Sequence, residues 1–241
     1  MRTATDAKAP AAPDRILRWD GCVNVRDLGG LPLTGGGETR FGVCVRADTI
    51  RGLTAAGWDA VAEYGVRLAV DLRGNPELAE DPPEGVPIEV RHFPVNGDEV
   101  EAVREWRTME EAYRGLLGRF GAEFAGAVTT VARADGPVVI HCFGGRDRTG
   151  LACGLMLRLA GVPLDAIATD HGLSDANLAP HTERWVAAPG EEGEVERRRR
   201  VTAPAGEKMA EVLADVDPRA YLLSGGAKEE DLDRLVVRLR G

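Results

Sequence analysis

The residues best placed to do chemistry lie in one string, His141-Cys142-Phe143-Gly144-Gly145-Arg146-Asp147-Arg148-Thr149-Gly150, entered from the apolar run Val138-Val139-Ile140. A thiol opens this loop and a guanidinium, Arg148, closes it. Between them Gly144 and Gly145 allow the backbone to curl and come close to a ligand. A dianionic phosphoryl group needs several donors converging on it, and successive backbone N–H groups feeding a helix N-terminus supply them. Arg148 adds a planar fork that grips two oxygens at once. Phe143, Gly144, Gly145, Arg146, Thr149 and Gly150 are therefore the expected phosphate-binding set, with the amides of residues 143–148 holding the phosphoryl group.

The same field favours an anion at sulfur, and the thiolate is the form of cysteine that attacks. Cys142 then reads as a nucleophile that forms a phosphocysteine, which water later cleaves. His141 is expected to orient the loop through hydrogen bonds, and Thr149 to steady the thiolate as it leaves. Arg146 is expected to project toward the substrate and to favour a second anionic feature on it. No metal or cofactor is implied, because the loop supplies the positive charge that Mg²⁺ supplies elsewhere.

His141 to Gly150 resembles the phosphate-binding loop of the cysteine-dependent protein tyrosine phosphatases. The Asp147-Arg148-Thr149 ending resembles one branch, the bacterial tyrosine phosphatases with lipid and dual-specificity activities. That branch usually carries lysine where this chain has Arg146, so a point-charge donor becomes a bulkier fork. Asn24-Val25-Arg26-Asp27-Leu28-Gly29-Gly30 and Arg46-Ala47-Asp48 are similar to further segments of the branch. Asp170 to Leu178 is similar to another, with His171 where a tyrosine is more usual. The resemblance implies a tyrosine-phosphatase-like α/β fold acting on phosphotyrosine and, by dual specificity, on other phosphate monoesters. It makes Asp147 the first candidate for general acid, with Asp98 and Asp71 behind it. Asp98 follows a strand, where related phosphatases often place their acid.

At 241 residues, with 44% hydrophobic and 29% charged residues, the chain suits one large α/β domain. Residues 15–241 are assigned to it and residues 1–14, rich in Ala and Pro, to a disordered tail. A net charge of −9, with no basic arm, argues against nucleic acid as a partner. A phosphorylated protein, a lipid headgroup or a small phosphorylated molecule is the expected substrate class. Four cysteines without disulfide or zinc spacing point to a reducing compartment, and no signal peptide or membrane span is visible, so a cytoplasmic location is expected. A sulfurtransferase or arsenate-reductase-like enzyme fits the loop poorly. A non-catalytic phosphate-binding module would lack Cys142 or Arg148.

The elements that must hold these residues follow from pattern. A mostly parallel central sheet flanked by helices is expected, with extra C-terminal and lid helices. Val66 to Leu72 reads as an internal strand ending at Asp71 and Arg73, where α/β sheets place their ligands. Ile88 to Val95 alternates like a half-buried strand. Thr54 caps a helix that Gly65 stops. Val100 to Ala134 is helical with a break near Gly115 to Gly121, and Thr149 to Ala160 is a helix apolar on nearly all faces, hence buried. Asn24, Arg26 and Asp27 read as a buried network supporting the site, in preference to direct substrate contact. Trp185 lies in a polar region expected to lie over the pocket, and Arg197 to Arg200 read as a solvated helix face.

Overall fold

A computed structural model describes residues 14–96, 106–189 and 192–241. Asp98 and the 1–13 stretch lie outside the described residues. The strands are β1 (Arg26–Asp27), β2 (Cys44–Ala47), β3 (Leu68–Asp71), β4 (Glu89–His92) and β5 (Val138–His141), in the sheet order β1-β2-β5-β3-β4. β1 pairs antiparallel with β2, and the other pairings are parallel. β5, the strand that delivers Cys142, is therefore central. Its side chains divide by parity: Val138 and Ile140 enter the larger core, and Val139 packs with Val45, Ala69, Val61 and Val66 on the other face. A parallel strand covered on both faces has no polar side to spare, which is why it reads as an unbroken apolar run. Among the described residues β4 pairs with β3 alone, and it shows the expected alternation of exposed and half-buried residues.

The described helices are α1 (Ala55–Glu63), α2 (Asn75–Glu80), α3 (Met109–Arg119), α4 (Gly121–Arg133), α5 (Asp147–Ala160), α6 (Leu164–Ala187), α7 (Glu192–Val201), α8 (Gly206–Ala214), α9 (Pro218–Ser224) and α10 (Glu229–Arg240). Thr54 caps α1 through a 3.2 Å bond from the Gly57 N–H, and Gly65 follows with φ +89°. The expected break between α3 and α4 falls at Phe120. Gly115 lies inside α3, where a Cβ would meet the Trp106 ring at 2.4 Å. That glycine makes room for an indole and does not end the helix.

α5 is the buried axis of the fold. Leu151, Leu155, Met156 and Leu157 are at most 1% exposed, and each such side chain contributes about 1.5–3 kcal/mol relative to staying in water. Cys153 is fully buried and its thiol is pushed up to about 12 by burial, in keeping with a small hydrophobe. A left-handed Gly161, φ +88°, closes the helix. α6 runs 24 residues and continues through Pro180, so the polar region around Trp185 is the end of a long helix. Among the described residues no helix is long and apolar enough to cross a membrane.

Candidate active site

The loop between β5 and α5 is held from behind. The carbonyl of Phe143 accepts from the Thr49 N–H at 2.9 Å, that of Gly144 from Asn24 Nδ2 at 2.9 Å, and that of Gly145 from Arg46 Nη2 at 2.9 Å. Arg46 Nη2 also reaches the Arg146 carbonyl at 3.3 Å. In a trans peptide the carbonyl and the following N–H point in opposite directions. Four consecutive carbonyls turned toward the support thus turn the N–H groups of Gly144, Gly145, Arg146 and Asp147 away from it. This is a nest for an anion, continued by the N-terminus of α5.

The support comes from three charged residues placed by β1, β2 and α6. Arg26 and Arg46 face each other across the β1–β2 pair, and they are 0% and 1% exposed. Two buried cations side by side need a counter-charge, and Asp170 on α6 supplies it, with Arg26 Nε at 3.0 Å, Arg46 Nη1 at 2.8 Å and Arg15 also bound. Burial alone would raise the Asp170 carboxyl, but Arg46, Arg26 and Arg15 hold it far below the ordinary range. Arg26 is pushed down to about 10, by burial first and then by Arg46. Arg26 Nη1 fixes Asn24 Oδ1 at 2.7 Å, and Asp48 accepts from the Asn24 N–H at 2.9 Å. Asp27 receives the Gly42 N–H at 3.0 Å and the Tyr64 hydroxyl. Asn24 and Arg26 thus form part of the supporting network expected of them, whereas Asp27 holds the Gly29 and Gly42 amides and the Tyr64 hydroxyl, away from the loop.

Arg148 closes the nest. Its Nη2 donates to Glu77 Oε1 at 2.8 Å and its Nη1 to Glu77 Oε2, leaving Nε–H unused by that carboxylate. Burial opposes the charge on Arg148, yet Cys142 and Glu77 more than offset it and its pKa is raised. Glu77 was not among the residues picked out from the sequence. It sits in the first turn of α2, where Oε2 also takes the Gly74 N–H at 2.8 Å. The signal for that helix start, Pro76 followed by Glu77, is present in the sequence.

Asp71 and Arg73 form a buried pair at 2.8 Å, both at most 2% exposed, and Asp71 also takes the Arg73 N–H at 2.9 Å. Burial favours the neutral acid there, but His141 and Arg73 outweigh it and the Asp71 carboxyl is lowered. His141 is buried, which lowers its pKa, and its Nδ1 lies 3.2 Å from the Cys142 carbonyl oxygen. These three residues brace the strand ends beneath the loop.

In front of the loop lies a cavity of about 480 Å³, bordered by Cys142, Arg148, Asp147 and Arg146 and walled by Trp106, Met109, Leu116, Leu178 and Trp185. Cys142 is 3% exposed at its floor, whereas Phe143 is 66% exposed at its rim. Arg146 borders the cavity, but its Nε pairs with Asp175 at 2.8 Å and its Nη2 donates to the Ala203 carbonyl. The fork therefore ties the loop to α6 and to the α7–α8 connection. Asp147 accepts from the Tyr113 hydroxyl at 2.6 Å. Thr149 Oγ1 is buried and has no hydrogen-bond partner among the described residues. Within the arginine run, Arg198 stacks on Trp185 at 5.6 Å and donates to the Ala188 carbonyl at 2.9 Å, so this guanidinium packs against the chain.

The two loop glycines are not equivalent. Gly145 has φ +66° and a Cβ there would stand 2.2 Å from the Ala47 carbonyl oxygen, whereas at Gly144 the nearest contact is Leu178 Cδ1 at 3.5 Å. Gly145→Ala is expected to lose about 2 kcal/mol or more, from left-handed strain and backbone overlap together. Urea unfolding should place it well below Gly144→Ala. Equal midpoints for the two variants would show that β2 does not confine the loop.

With Cys142 and Arg148 on one cavity, the arginine held by a glutamate and an apolar cleft in front, the fold and site are those of a cysteine-dependent phosphatase. The chain belongs to the tyrosine phosphatase family, which it matches over residues 17–241. It is 31% identical over 218 residues to a tyrosine-protein phosphatase of Nostoc commune, covering 81% of this chain and 73% of that one. It is 24% identical over 250 residues to the triple specificity protein phosphatase PtpB of Mycobacterium tuberculosis, covering 81% and 90%. This membership sets aside the sulfurtransferase and arsenate-reductase readings.

Proposed function

We propose that this enzyme hydrolyses aryl phosphate monoesters, phosphotyrosine foremost, through a phosphocysteine on Cys142. The carrying observation is the set of four loop carbonyls tied from behind, which leaves four amides for the phosphoryl oxygens. Donors fixed before the substrate arrives need no reorganisation as charge develops, and so they stabilise the transition state. Cys142 Sγ attacks phosphorus, the S–P bond forms and the P–O bond to the leaving group breaks. Arg148, oriented by Glu77, holds two equatorial oxygens. Asp147 protonates the departing oxygen. Water then attacks phosphorus, Asp147 takes its proton, and the thiolate leaves toward the Thr149 hydroxyl.

The apolar walls of the cleft suit an aromatic ring above the loop. Phosphoserine and phosphothreonine, inositol lipids and small phosphorylated metabolites use the same loop chemistry and are the competing substrates. The assignment of residues 15–241 to one phosphatase domain and of the enzyme to the cytoplasm belongs to the same reading.

The test is phosphate release from phosphotyrosine and phosphoserine peptides, inositol phospholipids and phosphorylated sugars. Phosphotyrosine peptide is expected to turn over fastest, with EDTA without effect and vanadate inhibitory. Preference for a lipid or sugar would overturn the substrate assignment, and metal-dependent turnover would overturn the mechanism.

A further inference from the structure

Asp147 is not left to find its own orientation. Tyr113 on α3 is fully buried, and its hydroxyl lies 2.6 Å from Asp147 Oδ1 and 3.1 Å from His171 Nε2 on α6. The two rings meet edge to face, with centroids 6.0 Å apart and planes at 86°. Neither Tyr113 nor His171 has a place in the phosphate-binding loop, and both come from elements far from it in sequence. We infer that Tyr113 and His171 are positioning residues that fix Asp147 as the proton donor to the leaving group, an inference that rests on the Asp147 acid reading above.

Counting hydrogens gives the direction of the chain. A phenol has one proton to donate, and Asp147 Oδ1 is an acceptor. The Tyr113 O–H therefore goes to Asp147, and its oxygen accepts from His171 Nε2–H. That places the neutral imidazole proton on Nε2. Burial, and after it the charges of Arg46, Arg146 and Arg26, hold His171 well below its ordinary pKa against the pull of Asp170, so the ring is neutral. Its Nδ1 is then an acceptor, and among the described residues it has no hydrogen-bond partner. The ring can lie there because residue 150 is glycine: a Cβ would stand 2.6 Å from Nδ1. Tyr113 itself is pushed well above the ordinary phenol range by burial and by the Asp147 charge, so its proton stays in place through the cycle.

The consequence is a division of labour between the two carboxyl oxygens. Oδ1 is held by Tyr113, with Arg146 Nε a further 3.9 Å away, so Oδ2 carries the transferable proton. As the P–O bond breaks, its electron pair stays with the departing oxygen. The Oδ2–H bond breaks as that oxygen takes the proton. Asp147 borders the cavity with its side chain 36% exposed, so Oδ2 has a route to the substrate.

Leaving-group dependence provides the test, because it is a ratio within one variant and is unaffected by the fraction folded. Phenyl phosphate needs its departing oxygen protonated, whereas 2,4-dinitrophenyl phosphate does not. Tyr113→Phe keeps the ring and removes the donor. It is expected to lower kcat/KM for phenyl phosphate, which reports the step that expels the leaving group, by about 10-fold or more, since general acid catalysis spans about 10²–10⁴, with a small change in kcat/KM for the dinitrophenyl ester. His171→Gln, which keeps a donor near Nε2, should retain more of the phenyl phosphate rate than His171→Leu. An equal loss on both esters, or no loss on either, would overturn the positioning role. Asp147→Asn separates the two claims. If it leaves the leaving-group dependence unchanged, the acid reading itself fails. If it steepens that dependence and Tyr113→Phe does not, only the role of Tyr113 and His171 fails.

Discussion

Cys142→Ser will abolish turnover of phosphotyrosine peptide, by at least ~10⁴-fold, while the protein keeps its fold and still binds phosphate. A serine hydroxyl at the floor of the nest is not ionised at neutral pH, so the strong nucleophile is lost. Everything that holds the anion is untouched, because the amides are set by Thr49, Asn24 and Arg46 and the guanidinium by Glu77. The smaller oxygen removes little from a side chain already 3% exposed, so stability should change by less than about 1.5 kcal/mol. Single-turnover phosphate release, thermal unfolding with and without added phosphate, and retention on a phosphotyrosine resin check the three parts. Residual activity near one hundredth of the parent would show that phosphorus is attacked by something other than sulfur.

Asp170→Asn is expected to cost about 3–5 kcal/mol, the usual penalty for leaving buried charges without their partner. Arg26 and Arg46 are paired across two strands with essentially no exposure, and Asp170 is the carboxylate bound to both. The variant also loosens Arg46 from the Gly145 carbonyl, so activity should fall with stability. Urea unfolding at neutral pH measures the first, and phosphate release from the folded fraction the second. A variant within about 1 kcal/mol of the parent would mean that the two arginines find other compensation. The same carboxylate gives an acid signature. Its folded pKa is depressed, so its contribution is complete above the unfolded value of about 3.9 and is lost as pH falls through the lower, folded value. The parent should therefore lose stability steeply below about pH 4, and Asp170→Asn, with nothing to protonate, should lose less over that range.

The resemblance in the loop covered the reacting groups but not what holds them. Glu77 stands 71 positions from Arg148 and is one glutamate among many until α2 turns it onto the guanidinium. His171 read only as an unusual substitution and Tyr113 was not singled out, and only the packing of α3 and α6 against the start of α5 links His171 through the Tyr113 hydroxyl to Asp147. Arg146 was legible as a loop cation, but its direction was not. A side chain at a helix N-terminus can turn to the ligand or back to the fold, and Asp175 and the Ala203 carbonyl turn it back.

Local sequence was enough to show the family and the frame. Cys142, Gly145 and Arg148 at their spacing define the nest, and the apolar run before them together with the all-apolar α5 after them defines a central strand and a buried helix. Both follow from local rules: backbone geometry at glycine, and the need of a two-sided strand for apolar residues on both faces. Tertiary structure alone decided which way the loop amides face, which carboxylate fixes Arg148, and how Asp147 is aimed. Each depends on a hydrogen bond between residues distant in sequence, and such a bond has a partner only after the chain has folded around it.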